Sequence, residues 1–120
     1  MSRILIVDDE PAILEAMAIL LADEGYPVQT ALDGRVALEL VATSPPDLLI
    51  TDVLMPGLDG WALLAQVRAR TPDLPVIVIS AIERRDAPLR EVLITEHTVF
   101  LRKPFALETL LAIVHRLTAP

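Results

Sequence analysis

The stretch Leu48-Leu49-Ile50-Thr51-Asp52 is a short apolar run that ends on a polar residue, here an aspartate, and three other stretches of the chain also run into polar residues. They are residues 4–7 before Asp8-Asp9, residues 76–79 before Ser80, and residues 99–102 before Lys103. Short β-branched runs that alternate with helical patterns predict βαβ units and a parallel sheet. In such sheets ligands bind outside the carboxyl ends of the strands, so we expect these polar side chains to converge on one pocket.

Helical periodicity fills the intervals between these runs. The predicted helices lie between Pro11 and Gly25, between Asp33 and Pro45, from Trp61 to about Arg70, from about Asp86 past Leu93, and from Leu107 to Leu117. Asp33 is a candidate N-cap, and residues 27–31 read as one more short strand. The sequence therefore predicts five strands and five helices.

The length and composition of the chain are typical of one compact domain. Its 120 residues suffice for one domain with a sizeable core, and we expect that domain to span residues 1–120. Hydrophobic residues make up 53% of the chain and the mean hydropathy is +0.54, which fits strands buried on both faces. No apolar stretch approaches the roughly 20 residues that span a bilayer, and the N-terminus lacks a secretory pattern. We expect no membrane association and a cytoplasmic location.

Charge and cysteine content exclude several classes of site. The chain has no cysteine, which rules out a disulfide framework and a thiolate metal site. Its formal charge of −7 leaves no broad basic face to neutralise phosphates, so we expect no direct nucleic-acid binding.

The polar residues at the strand ends favour chemistry on a phosphoryl group. Crowded carboxylates repel one another, so either one stays protonated or a cation offsets their charge. Oxygen ligands without thiolate or histidine favour Mg²⁺, which often bridges carboxylates to a phosphoryl oxygen. A lysine and a hydroxyl opposite would suit the remaining phosphoryl oxygens, and an aspartate is available as the nucleophile.

The ordered set of motifs resembles a response-regulator receiver domain of two-component signalling, over essentially the whole chain. The motifs are Asp8-Asp9-Glu10-Pro11, then residues 52–60 from Asp52 through Pro56-Gly57 to Asp59-Gly60, then Ser80-Ala81, then Lys103-Pro104-Phe105. The resemblance implies a doubly wound, flavodoxin-like three-layer (βα)5 sandwich with five parallel strands in the order 2-1-3-4-5. It also implies a cis Lys103-Pro104 bond.

The resemblance assigns a role to each site residue. Asp52 would accept a phosphoryl group from a sensor histidine kinase or a phosphotransfer protein. Asp8 and Asp9 would hold Mg²⁺ together with Asp52 and the backbone carbonyl of Leu54. Lys103 would pair with the phosphoryl group, the Ser80 hydroxyl would move to bond it, and Phe100 would be the switch aromatic. Such a module catalyses its own phosphorylation and dephosphorylation but turns over no external metabolite.

Residues 94–98 depart from the family pattern, which commonly has a Gly-Ala pair before the fifth strand. This departure concerns the output face, formed by the fourth predicted helix, the fifth strand and the fifth predicted helix. That face is also our hypothesis for a homodimer interface. The alternative function is a phosphorylation-independent scaffold or dimerisation module with the same fold.

Two other classes of protein fit less well. Aspartyl-phosphate phosphatases and mutases need a second aspartate two residues after the nucleophile, where this chain has Leu54. A flavodoxin-like cofactor binder would need a phosphate-binding loop rich in Gly, Ser or Thr after the first strand, and none follows.

Overall fold

The fold is a five-stranded parallel sheet with helices on both faces. The computed structural model describes residues 2–53, 60–80 and 97–119. The strands are β1 (Ile4–Val7), β2 (Val28–Ala31), β3 (Leu48–Asp52), β4 (Val76–Ser80) and β5 (Thr98–Arg102), and the helices of the described ranges are α1 (Pro11–Asp23), α2 (Gly34–Thr43), α3 (Gly60–Arg70) and α4 (Leu107–Thr118). The strand order is β2-β1-β3-β4-β5, which confirms the predicted doubly wound topology.

The sheet separates two apolar clusters, as the strand period of two requires. Along β1, Leu5 and Val7 belong to the cluster that contains residues of α2 and α3. Ile4 and Ile6 belong to the cluster on the other face, with residues of α1 and α4. Because both faces of the strand are covered, all four of its side chains are apolar and buried.

The helix boundaries follow local capping chemistry. Asp33 is the N-cap of α2, and its Oδ1 accepts a hydrogen bond from the Val36 N–H at 2.9 Å, which confirms the predicted cap. Pro11 starts α1, where its missing N–H costs nothing. Gly25 follows the helix with a φ of 94°, a conformation that favours glycine.

Some details of the elements differ from the sequence prediction or lie outside the described residues. β2 begins at Val28 rather than Pro27, although the Pro27 carbonyl still accepts from the Ile4 N–H at 2.9 Å. α3 begins at Gly60, one residue before Trp61. The helix predicted from about Asp86 falls outside the described residues.

Arg68 fastens α3 to the strands beside it. Its guanidinium donates to the carbonyls of Pro72 and Leu74, in the connection to β4, and to Thr98 Oγ1 on β5 at 2.6 Å. Burial lowers the pKa of Arg68, and the charge of Asp73 opposes that effect. This single side chain therefore ties the end of α3 to the start of both β4 and β5.

Gly60 allows α3 to start directly against the end of β3. Its N–H donates to the Val53 carbonyl at 2.9 Å. A Cβ at this position would lie 2.1 Å from the carbonyl oxygen of Asp52 and 2.7 Å from the Cα of Val53. Backbone atoms cannot rotate away from such a contact, so any larger residue must displace the helix or the strand end.

We expect Gly60→Ala to lower the free energy of unfolding by about 2 kcal/mol, the typical cost of overpacking a rigid site. Urea unfolding followed by circular dichroism measures the loss. Gly34→Ala is the matched control because Gly34 is the first residue of α2. Equal effects of the two changes would mean that the close approach at Asp52 is not what requires glycine.

Candidate functional site

The predicted site lies at the carboxyl edge of the sheet, where β1, β3, β4 and β5 end. Strand register aligns Val7 with Thr51, Asp52 with Ile79, and Ser80 with Arg102. The residues that follow each strand therefore emerge at one edge, as expected for parallel strands. Lys103 extends this alignment because its backbone N–H donates to the Ser80 carbonyl at 2.9 Å.

Asp52 and Lys103 form the central contact of this edge. Lys103 Nζ lies 2.7 Å from Asp52 Oδ2, although 51 positions separate the two residues in sequence. The Asp52 side chain is 7% exposed and that of Lys103 is 22% exposed. An ion pair with this geometry and limited exposure to water is a strong, charge-assisted hydrogen bond.

Asp8 is the most deeply buried carboxylate of the site, with no exposed side-chain surface. Its Oδ1 accepts the Glu10 backbone N–H at 2.9 Å, and its Oδ2 has no hydrogen-bond partner among the described residues. Lys103 Nζ is 3.9 Å from that Oδ2, which is an electrostatic contact but too long for a hydrogen bond. The buried oxygen is thus available to a further ligand.

Burial and charge perturb the acid and the base of the site. Burial raises the pKa of Asp8; the Glu10 N–H opposes the rise, while the negative charge of Asp52 adds to it. For Lys103, burial alone would lower the pKa, but the hydrogen bond and charge of Asp52, with the charges of Asp8 and Glu10, raise it overall. Lys103 therefore stays protonated at neutral pH, and ionisation of Asp8 is less favourable than ionisation of an exposed carboxyl group.

An acidic cluster follows β1. Oxygens of Asp8, Asp9 and Glu10 lie within 4.8 Å of one another. Asp9 is partly exposed and Glu10 is exposed, so the cluster opens from the buried Asp8 toward solvent. Hard oxygen donors in this arrangement fit a small divalent cation. The sequence motif assigns no role to Glu10, although this residue directly follows the two predicted ligands.

The remaining predicted site residues are distributed around this centre. Ser80 is buried at the end of β4, next to Asp52 in the sheet. Phe100 lies on β5, and its ring is 5.7 Å from that of Trp61 at the start of α3. The Lys103-Pro104 bond is cis, as the resemblance implied. Leu54 lies outside the described residues, as do residues 94–96 of the segment that departs from the family pattern.

Two features of the site were not identified from the sequence. From the sequence, Gly60 was named only as the last residue of the 52–60 motif, yet its missing Cβ is what lets α3 approach the Asp52 carbonyl. Trp61 opens the third predicted helix, and the structure buries its side chain against Phe100. Gly60 ends the 52–60 motif and Trp61 directly follows it, but their contacts depend on the tertiary approach of α3 to β3 and β5.

Comparison with known proteins agrees with this geometry. The chain is 45% identical over 112 residues to the response regulator MprA of Mycolicibacterium vanbaalenii, a match that covers 92% of this chain and 47% of that protein. MprA of Mycobacterium avium is 44% identical, with 92% of this chain and 48% of that protein covered. The chain thus spans about half the length of these curated relatives.

Solved structures give the same result. The chemotaxis protein CheY4 of Vibrio cholerae superposes with a TM-score of 0.87 at 32% identity, covering 98% of each chain. The response regulator TrrA of Thermotoga maritima, solved in complex with Mg²⁺ and BeF, has a TM-score of 0.85 at 32% identity, with 98% of this chain and 99% of that chain covered.

A family-wide pattern covers nearly the whole chain, including all four strand ends that build the site. The model of the response regulator receiver domain matches residues 4–115. Sequence, topology and relatives agree on one assignment: the chain belongs to the response regulator receiver domain family.

Proposed function

We propose that this chain is a phosphorylation-switched receiver whose Asp52 accepts a phosphoryl group from a histidine kinase or a phosphotransfer protein. The observation that carries the proposal is the buried Asp52 carboxylate held 2.7 Å from the Lys103 ammonium. It lies at the same sheet edge as the Asp8 oxygen that has no hydrogen-bond partner among the described residues. A nucleophile, a cationic partner and a free oxygen ligand are what such a transfer needs.

In the transfer, an Asp52 carboxylate oxygen forms a bond to phosphorus. The bond from phosphorus to the imidazole nitrogen of the donor breaks, and its electron pair returns to that nitrogen. Lys103 neutralises charge on the phosphoryl oxygens, and the Ser80 hydroxyl donates to one of them. Ser80 is suited to this role because it ends the strand next to Asp52. Its engagement and the placement of Phe100 would then report the modified state to β5.

The residues present fit a magnesium ion. Asp8, Asp9 and Asp52 would hold it, with the backbone carbonyl of Leu54 as a further ligand. When bound, the ion neutralises carboxylate charge and polarises a phosphoryl oxygen. The protein's own contribution is a buried oxygen of Asp8 without a hydrogen-bond donor among the described residues. The Mg²⁺ and BeF in the Thermotoga TrrA structure support the same assignment.

Residues 1–120 would act as one receiver domain that modifies itself and turns over no external metabolite. Within residues 2–53, 60–80 and 97–119, no helix is long and apolar enough to cross a bilayer. The absence of direct nucleic-acid binding by this domain and its cytoplasmic location stay predictions.

The decisive test of the transfer is intact-mass spectrometry after incubation with acetyl phosphate and Mg²⁺. The native chain is expected to gain one phosphoryl mass, whereas Asp52→Asn gains none because its amide is not a nucleophile. A metal-free sample is the control for the magnesium requirement. If the native chain gains no mass and binds no beryllofluoride, the phosphorylation-independent scaffold becomes the better account.

A second test concerns the buried charge of Asp8. The raised pKa means that the folded state holds the Asp8 proton more tightly than the unfolded chain does. This contribution to stability is present below the ordinary carboxyl pKa of about 4 and is lost as the pH rises through the raised value. In metal-free buffer at neutral pH, Asp8→Asn should therefore raise the free energy of unfolding, because it removes the buried carboxylate charge.

The same variant tests metal binding. At ten times its dissociation constant, Mg²⁺ should stabilise the native chain by about 1.4 kcal/mol, and Asp8→Asn should lose most of that gain. Thermal unfolding with and without Mg²⁺ measures both effects. Asp47→Asn is the control, because Asp47 lies at the opposite end of the sheet and accepts a hydrogen bond from the Arg3 N–H. An equal response to Mg²⁺ in all three proteins would argue against Asp8 as a ligand.

Phosphorylation is also proposed to promote a homodimer through the face that contains β5 and α4, together with the helix predicted within residues 81–96. β5 supports this proposal because it is an edge strand, and residues 98–100 are only partly buried. Size-exclusion chromatography with light scattering should give the dimer mass with beryllofluoride and Mg²⁺ and the monomer mass without them. A monomer under both conditions would sink the dimer proposal but leave the phosphoryl transfer intact.

A further inference from the structure

Trp61 and Phe100 form an aromatic pair that links α3 to β5. Their ring centroids are 5.7 Å apart and their planes are tilted by 41°, a geometry that aromatic pairs favour. Trp61 is 8% exposed, and Phe100 packs against the same apolar cluster. The position of either ring therefore restricts the positions available to the other.

The Trp61 indole makes no hydrogen bond with the part of the chain that the structure describes. Its Nε1–H is buried and has no partner among the described residues. A buried N–H that loses its water partners and gains no acceptor leaves its desolvation cost uncompensated. An arrangement in which the indole turns to give this N–H an acceptor or a water molecule can therefore compete with the observed packing.

A short backbone path joins this indole to Asp52. Gly60 precedes Trp61, and a Cβ on Gly60 would lie 2.1 Å from the Asp52 carbonyl oxygen. The Gly60 N–H also donates to the Val53 carbonyl at 2.9 Å. Because the first turn of α3 rests directly on the end of β3, a displacement of the strand end at Asp52 must move the base of the Trp61 side chain.

We propose that Trp61 is a positioning residue that couples the Asp52 end of β3 to the Phe100 ring on β5. The coupling rests on the proposed function, since phosphorylation of Asp52 is the event that it transmits. This coupling does not involve the Ser80 hydroxyl. It passes from Asp52 through the start of α3 to Trp61, and from there to Phe100 through the aromatic contact. Modification of Asp52 shifts the first turn of α3, and the indole then changes the space open to Phe100.

The single tryptophan makes this coupling directly measurable, because all indole emission comes from Trp61. The experiment records tryptophan emission during phosphorylation by acetyl phosphate and Mg²⁺, normalised to the phosphorylated fraction found by intact mass. The native chain is expected to change its emission, and Phe100→Leu to lose more than half of that change. Leu110→Val, in the cluster on the opposite face of the sheet, controls for a general loss of packing.

A double-mutant cycle tests whether the two rings act together. Trp61→Leu should change the rate of phosphorylation by about threefold or more in the native background, and much less in the Phe100→Leu background. Trp61→Phe keeps an aromatic ring and should restore most of the native rate. Urea unfolding of each variant separates this coupling from a loss of stability, which a merely structural role would produce.

Three outcomes overturn the proposal. The first is a phosphorylated native chain whose emission does not change, and the second is an emission change that Phe100→Leu leaves intact. Additive rate effects in the cycle are the third. Each of these leaves the mass gain on Asp52 unaffected, so it contradicts the coupling without contradicting the receiver function. A native chain that gains no phosphoryl mass contradicts both.

Discussion

The contact between Asp52 and Lys103 is the interaction on which the site depends. Four carboxyl groups, those of Asp8, Asp9, Glu10 and Asp52, end up at one edge of the sheet. Lys103 is the cation that reaches the two buried ones, at 2.7 Å from Asp52 and 3.9 Å from Asp8. Removing one partner of such a pair leaves the other charge buried and uncompensated, which is costly. The charge balance of these two carboxylates therefore depends on Lys103, which follows the edge strand β5.

The contact between Lys103 and Asp52 requires the strands to pair in one particular register. Lys103 reaches Asp52 because β5 pairs with β4 so that Ser80 aligns with Arg102, and because the Lys103 N–H continues the ladder onto Ser80. Arg68 reinforces the other end of β5 through Thr98. A slip by one residue would turn each side chain to the opposite face and separate the charges. The register of the apolar strands thus fixes where each strand ends, and this places the polar side chains of the candidate site.

The elements of the fold were largely predictable, because the strands and most helices carry complete local signals. The apolar run 4–7 is buried on both faces as expected, and Asp33 caps α2. The first residue of α3 was missed because glycine is a poor helix former, and Gly60 enters the helix for a tertiary reason, its contact with the Asp52 carbonyl. The strand order came from the family resemblance, since no local pattern determines which strands are neighbours.

The sequence predicted which residues make up the site, but it did not predict which of their side chains touch. Strand-end positions indicated that Asp8, Asp52, Ser80 and Lys103 would share one edge, but the sequence holds no distance between residues 51 positions apart. The pairing of Trp61 with Phe100 was likewise hidden, because α3 and β5 are separated by β4 in the chain. Contacts of this kind arise only when whole elements pack, and no short motif encodes them.

The same electrostatics support the proposed switch at this edge. Asp8 is buried with an oxygen that no described residue satisfies, and Lys103 is shared between two carboxylates. A phosphoryl group on Asp52 would replace one carboxylate charge by the larger charge of a phosphate, without adding any protein cation. In the proposed phosphorylated state, donors near Asp52 such as the Ser80 hydroxyl would be drawn toward the added negative charge. In the proposed switch, a small covalent change at Asp52 would alter the charge balance in which Lys103 contacts both Asp52 and Asp8, and this could drive a rearrangement.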